Sequence, residues 1–214
     1  MLRAGGLPVT EDEVRRSIGA RRNPKSAEAI LEAAESVLME EGHRGFSIEA
    51  VARRARAGKP TIYRWWPSKA ALLLDVYQRQ KRDVVYPDTG SVEEDIVRFL
   101  KRLLSHWRDT PSGSIFRSII AEAQSDEKAA EALAGYARDR RVQTGGMIAR
   151  AQRRGEVGSE VDPLVVADLI SAYAWSHLLT GRLDETDEAV RAAARVMLCG
   201  IVKSGSQSSA ETLP

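Results

Sequence analysis

Apolar residues recur every three to four positions along most of the chain, which is the spacing of one face of an α-helix. No stretch alternates apolar and polar residues in the manner of a β-strand, and no internal repeat is present. The pattern therefore predicts an all-α fold of about nine helices. The predicted spans are about 24–41, 47–55, 59–65, 67 onward, 91–109, 115–120, 126–154, 163–181 and 184–202.

Capping residues support several of these boundaries. Ser47 precedes the second predicted helix and Asp162, followed by proline, precedes the eighth. Ser91 and Glu94 have the spacing of a capping box, and either Ser125 or Asp126 can cap the seventh helix. Two glycine positions predict interruptions: Gly42 at the end of the first helix, and the pair at 145–146 as a possible bend in the seventh.

Four regions follow from the pattern. Residues 1–23 have no sustained apolar period and predict a disordered basic arm, and residues 204–214 predict a disordered tail. Tyr86–Gly90 contains proline, aspartate and glycine, so it predicts a boundary between two folded parts, 24–85 and 91–203.

Composition narrows the class of protein. With 43% hydrophobic and 29% charged residues, no run of about 18 apolar residues and no apolar leader near Met1, we expect a cytoplasmic protein. The single cysteine, Cys199, excludes an internal disulfide and is expected to be a buried thiol. The three histidines are far apart, and glycine-rich phosphate loops and nucleophile elbows are missing, so we expect neither an enzyme, nor a metal site, nor a cofactor.

Charge is balanced overall but unevenly distributed. The net charge is +2, yet the stretch from Arg44 to Lys69 contains seven basic residues and one acid, Glu49. Such a patch attracts a polyanion, although charge alone is more typical of a solvated helical surface.

The third predicted helix, Lys59 to Trp65, follows a tight turn after the second, as in a helix-turn-helix. Ile62 should face the core. Lysine and arginine donate to guanine or phosphate, a threonine methyl contacts the thymine methyl, and a tyrosine hydroxyl reaches phosphate. The residues expected to face outward are Lys59, Thr61, Tyr63 and Arg64.

The residues that carry the most specific signal are Phe46–Ala52, Lys59–Trp66 and Ser68–Leu72. Together they resemble the DNA-binding domain of the tetracycline-repressor (TetR) family, over about residues 25–80. The resemblance implies phosphate contacts for Ser47 and Lys69 and places Thr61 and Tyr63 on the recognition helix. It puts Trp65 near the DNA backbone, with packing inside the protein as the alternative for that residue. Arg21 and Arg22 in the basic arm are further candidates for DNA contact.

One departure from the TetR pattern concerns the turn. Where the family usually has glycine, this chain has Arg56, and Gly58 stands at the N-cap position often held by serine. If Arg56 must adopt positive φ, it costs on the order of 1 kcal/mol relative to glycine.

The resemblance also implies a homodimer that binds a pseudo-palindromic operator and is switched by a small-molecule effector, usually as a repressor. Helices eight and nine are rich in alanine, which suits close packing against a second copy. An activator, or a helix-turn-helix scaffold for protein partners, remains an alternative. Residues on inward stripes that are candidates for an effector pocket are Trp107, Phe116, Glu122, Tyr136, Arg140, Met147, Tyr173 and His177.

Overall fold

The computed structural model describes residues 24–80 and 86–199. Within these ranges the chain forms nine α-helices and no β-strand, as the apolar period predicts. The basic arm with Arg21 and Arg22 and the tail over 204–214 lie outside the described residues. The helices are α1 Pro24–Gly45, α2 Ile48–Ala55, α3 Lys59–Trp65, α4 Lys69–Gln80, α5 Val92–Asp109, α6 Ser112–Glu122, α7 Glu127–Arg153, α8 Pro163–Thr180 and α9 Asp187–Cys199.

Backbone contacts divide the chain into two units between Pro67 and Ser68. In the first unit α1, α2 and α3 pack on one another around a small apolar core. This core is made of side chains that the helical period placed inward, with Ile30, Ala34, Val51 and Ile62 fully buried. Gly42 has φ 67° and interrupts α1 one residue after the predicted end of the first helix.

In the second unit α7 packs along α8, α5 packs against α8 and α9, and α4 packs against α6 and α7. The sequence grouped α4 with the helix-turn-helix in region 24–85, whereas its packing assigns it to the second unit. The reason is that the apolar side of α4 is broad: Leu72, Leu73, Val76 and Tyr77 are all fully buried.

Side-chain caps begin four of the described helices at predicted residues, namely α2, α5, α7 and α8. Ser47 Oγ accepts a hydrogen bond from the Ala50 amide, and Asp126, rather than Ser125, caps α7. Ser91 caps α5, but the Glu94 carboxylate binds Arg98 and Arg191 instead of completing a capping box.

Two details of α7 and α9 differ from expectation. No residue within α7 departs from helical geometry, and Gly145 instead lets Leu164 of α8 approach closely. Cys199 is exposed rather than buried, because the inward stripe of α9 runs through Val190 and Ala194, and Cys199 lies off it.

Candidate nucleic-acid interface and internal cavity

The helix α3 presents its polar side chains to solvent because one residue anchors it. Ile62 is fully buried, which holds the opposite face outward. Tyr63 is 47% exposed, Lys59 and Arg64 are exposed, and Thr61 is half-buried at the side of the helix. Tyr63 and Lys59 are four residues apart and therefore share one face.

The turn before α3 is built from Arg56 and Gly58. Arg56 has φ 51° and ψ 39°, the left-handed conformation, and is the one non-glycine residue with positive φ in the described parts of the chain. Gly58 is the N-cap of α3. The turn thus has the geometry that usually requires glycine, in a chain that supplies arginine.

Two of the basic side chains in the first unit are paired with acids. The Lys59 ammonium forms an ion pair with the Glu49 carboxylate of α2, and Arg54 forms one with Glu40 of α1. Each pair lowers the pKa of its glutamate, chiefly through the hydrogen bond from the basic group. Because all four groups are exposed, water and salt weaken these pairs and another anion can replace either carboxylate.

The remaining predicted contact residues lie near the ends of helices. Ser47 uses its oxygen to cap α2. Trp65 is half-buried and Trp66 is buried, with their ring centroids 6.0 Å apart. Lys69 begins α4 in the second unit, and its Nζ lies 3.9 Å from Glu122 Oε2.

The second unit encloses a cavity of about 220 Å³ between α5, α7 and α8. Three rows of residues with four-residue spacing line it: 99, 103 and 107 on α5, 136, 140 and 144 on α7, and 171 and 175 on α8. Five of the lining residues are aromatic: Tyr86, Phe99, Trp107, Tyr136 and Trp175.

A hydrogen-bonded chain of three aromatic side chains lies along one wall. The Trp107 indole N–H donates to the Tyr77 hydroxyl at 2.8 Å, and that hydroxyl is also hydrogen-bonded to Tyr136. Burial raises the pKa of Tyr77 to about 12 and raises that of Tyr136 well above its usual value. Both phenols are therefore neutral at physiological pH, and their polar atoms are already used by the protein.

The cavity also contains charged groups. Arg141 on α7 donates to both carboxylate oxygens of Asp168 on α8, at 2.8 and 3.0 Å. Because Asp168 is exposed, this pair lies at the solvent end. Arg140 is half-buried and places its guanidinium carbon 5.5 Å from the Tyr136 ring centroid.

Three of the eight predicted pocket residues line this cavity: Trp107, Tyr136 and Arg140. Phe116 is buried behind the wall and stacks on Tyr77, while Met147 is fully buried in the core. Glu122 lies at the end of α6 beside Lys69. Tyr173 and His177 pack on each other, and His177 contacts Glu185 at 3.1 Å.

The sequence interpretation missed Tyr86, Phe99, Leu103, Thr144 and Trp175. Three of these residues could have been predicted from helical spacing. Steps of four residues from Trp107 reach Leu103 and Phe99, and one step from Arg140 reaches Thr144. On α8 the sequence interpretation named residues 173 and 177 as lining the pocket, whereas residues 171 and 175 line it. Residues two positions apart lie on opposite sides of a helix.

Comparison with known proteins agrees with this geometry. The family model "Bacterial regulatory proteins, tetR family" matches residues 30–76. The model "Tetracyclin repressor-like, C-terminal domain" matches residues 86–197, more than half of the chain. The chain belongs to the TetR family. It is thus a DNA-binding transcriptional regulator of the helix-turn-helix type.

Several TetR-family relatives match most of the chain. The uncharacterized HTH-type transcriptional regulator YdeS of Bacillus subtilis is 33% identical and covers 81% of this chain and 88% of its own. The DNA-binding transcriptional repressor TetR of Mycobacteroides abscessus is also 33% identical, over 78% and 88%. The crystal structure of the TetR family transcription regulator SCO0332 has a TM-score of 0.73 at 29% identity, over 84% and 100%.

The described residues contain neither a cluster of metal ligands nor a helix able to span a membrane. No group of three or more histidine, cysteine, aspartate or glutamate side chains able to hold a metal ion occurs among residues 24–80 and 86–199. In the same ranges, each helix is too short or too polar to cross a membrane.

Proposed function

We propose that this protein is a ligand-responsive repressor, and not an enzyme, that binds a pseudo-palindromic operator as a homodimer. The observation that carries the proposal is the exposed face of α3, where Lys59 and Tyr63 lie side by side above a fully buried Ile62. A short helix anchored on one side and polar on the other is what enters a major groove. One of the relatives is named as a transcriptional repressor, which supports repression rather than activation.

On the operator, each group has a role set by its chemistry. Lys59 and Arg64 donate to guanine or phosphate, Thr61 contacts a thymine methyl group, and Tyr63 donates to a phosphate. Ser47 and Lys69 bind phosphates. Trp65 rests against the sugar-phosphate backbone.

DNA binding requires Lys59 to leave Glu49. The Lys59–Glu49 pair is exposed, so a phosphate or a guanine edge can take the place of the carboxylate at little cost. Glu49 therefore holds the lysine in place before binding and does not prevent the contact.

The dimer interface is proposed on α8 and α9. The helix α8 is apolar around most of its circumference, with one side buried in the second unit and the other exposed. The exposed residues form a continuous stripe with alternating spacings of four and three, the pattern of a helix–helix seam. They are Val165, Leu169, Ala172, Ser176 and Leu179, with Val196 exposed on α9.

The DNA-binding proposal is tested by an electrophoretic shift assay with duplex DNA from upstream of the chain's own gene, together with genomic selection of bound fragments. We expect a two-fold-related site and binding that weakens steeply with salt. If the folded protein shows no salt-sensitive binding to any duplex, the proposal fails and a scaffold for protein partners takes its place.

The dimer proposal is tested by replacing Leu169, at the middle of the stripe, with aspartate. A charge placed in an apolar seam should weaken self-association by about tenfold or more in sedimentation experiments. Val142→Asp is the matched control, because Val142 is also an exposed apolar residue but lies on α7. Equal dissociation by the two variants, or by neither, would place the interface elsewhere.

A further inference from the structure

Two polar groups at the cavity are buried and have no hydrogen-bond partner among the described residues: Nε of Arg140 and the hydroxyl of Tyr86. Both residues line the cavity. A buried donor without a partner costs free energy, so each of these groups favours a ligand that supplies an acceptor.

Arg140 also has no carboxylate partner in the part of the chain that the structure describes, unlike its neighbour Arg141, which is neutralised by Asp168. The pair of Arg141 and Asp168 contributes no net charge to the cavity, whereas Arg140 contributes one positive charge. Arg140 is half-buried, with its guanidinium beside the Tyr136 ring, so a neutral acceptor would satisfy its N–H but would leave its charge without a counter-ion. An anion satisfies both.

The shape of the cavity restricts the rest of the ligand. Its volume of about 220 Å³ is below the roughly 300–1,000 Å³ of pockets for drug-sized molecules. Tyr86 and Phe99 stack with their centroids 5.0 Å apart, and Trp107, Tyr136 and Trp175 supply further ring surfaces. Aromatic walls bind flat rings by offset or edge contacts.

From these observations we infer that the effector is a small aromatic carboxylate, whose ring lies among the aromatic side chains and whose carboxylate binds Arg140 and Tyr86. This inference rests on the proposed ligand-responsive function and specifies its chemical class. Arginine suits the role because its planar fork matches the two oxygens of a carboxylate. The hydroxyl of Tyr86 donates the second type of hydrogen bond.

The test is isothermal titration calorimetry of the full chain, without DNA, against matched probes. Each of three ring systems, phenyl, 2-naphthyl and biphenyl, is offered as the carboxylate, the carboxamide and the aminomethyl cation. We expect at least one carboxylate to bind about tenfold or more tightly than its amide, with the cation weakest, because one charge-assisted contact has that size. If no carboxylate binds, or if amides bind equally well, the inference is wrong.

Variants assign the effect to named groups. Arg140→Gln should abolish the preference for the carboxylate, and Tyr86→Phe should weaken carboxylate binding by about threefold to tenfold. Arg138→Gln is the matched control, since Arg138 is exposed on the same helix and its loss changes the net charge equally. Equal loss of preference in Arg138→Gln would show a general charge effect and would overturn the role of Arg140.

Two further measurements keep this inference separate from the proposed function. Circular dichroism and thermal unfolding establish that Arg140→Gln is folded, and a shift assay establishes whether it binds duplex DNA. Binding of duplex without binding of any carboxylate would overturn the inference and leave DNA-binding regulation intact. Binding of carboxylates without binding of any duplex would support the inference and contradict the DNA-reading role of α3.

Discussion

One cationic site in each unit of this molecule shows how differently a positive side chain can be held. In the first unit, Lys59 and Arg54 are exposed and each is paired with a glutamate of a neighbouring helix. In the second unit, Arg140 lies beside an aromatic cavity, and its Nε is buried without a partner among the described residues.

In the proposed function, this difference follows from what each of the two sites recognises. Every DNA duplex offers phosphates, so a cation that reads DNA can remain in a weak, exposed pair until a stronger anion arrives. A buried N–H donor without a partner, such as Nε of Arg140, costs more free energy than an exposed one, so fewer ligands satisfy it. An exposed ion pair is therefore suited to binding phosphate, which all DNA carries. A buried donor without a partner is suited to binding only those ligands that place an acceptor against it.

The largest expected effect comes from removing the exposed face of α3. Replacing both Lys59 and Tyr63 with alanine should weaken operator binding by about a hundredfold or more, because each base or phosphate contact contributes about 1–3 kcal/mol. Helical content should not change, since both side chains are exposed. Binding is measured by fluorescence anisotropy with a labelled duplex.

The control for that experiment is Arg102→Ala, which removes an exposed positive charge on α5 of the second unit. It should leave operator affinity nearly unchanged. If the Lys59 and Tyr63 double variant still binds its operator with sequence specificity, α3 is not the reading helix.

The next effect concerns packing beside the cavity. A Cβ atom added at Gly113 would overlap the carbonyl oxygen of Trp107 and lie 3.1 Å from its carbonyl carbon. Gly113→Ala should therefore lower the free energy of unfolding by about 1–3 kcal/mol and disturb the cavity that Trp107 lines. Chemical denaturation measures the change.

Gly146→Ala is the matched control, because a Cβ there meets nothing within 4 Å and the residue lies inside α7. This variant should be more stable than the native chain by about 0.5–1 kcal/mol. Loss of stability in both variants would argue against the close approach at Gly113 as the cause.

A smaller effect, of opposite sign, is expected in the turn of the first unit. Arg56 has φ 51°, so Arg56→Gly should raise the free energy of unfolding by about 1 kcal/mol. Arg53→Gly, the same exchange inside α2, should lower it by a similar amount, about 1 kcal/mol. A destabilised Arg56→Gly variant would mean that the arginine side chain contributes more than the backbone conformation costs.

The smallest effect concerns Lys69, whose Nζ lies 3.9 Å from Glu122. If Lys69 exchanges that carboxylate for a phosphate, Lys69→Ala should reduce the slope of log affinity against log salt by about one for each subunit. An unchanged slope would show that Lys69 remains with Glu122 in the complex.

The sequence predicted the helices well because their boundaries depend on local chemistry. Ser47 and Asp162 accept hydrogen bonds from nearby amides, and such contacts can be inferred from a few neighbouring residues. The outward face of α3 was predicted for the same reason, since Ile62 alone decides which side is buried.

The cavity was less predictable because it depends on which neighbour each inward residue meets. Periodicity places Tyr173 and His177 on an apolar helix, but α8 is apolar on nearly all sides, so the pattern cannot select Ser171 and Trp175 instead. Likewise Glu94 has the spacing of a capping box, yet its carboxylate accepts a hydrogen bond from Arg191, which is 97 residues away in the sequence.

In the proposed function, α8 lines both the effector cavity and the subunit interface, which limits how the protein can acquire new effectors. One side of this helix contributes Ala174 and Trp175 to the cavity, and Ala172 belongs both to the cavity wall and to the exposed stripe. A substitution that reshapes the cavity from α8 therefore also alters the proposed seam between subunits. Evolution toward a different effector should proceed mainly through α5 and α7, where Leu103 and Thr144 can change while the subunit pairing is preserved.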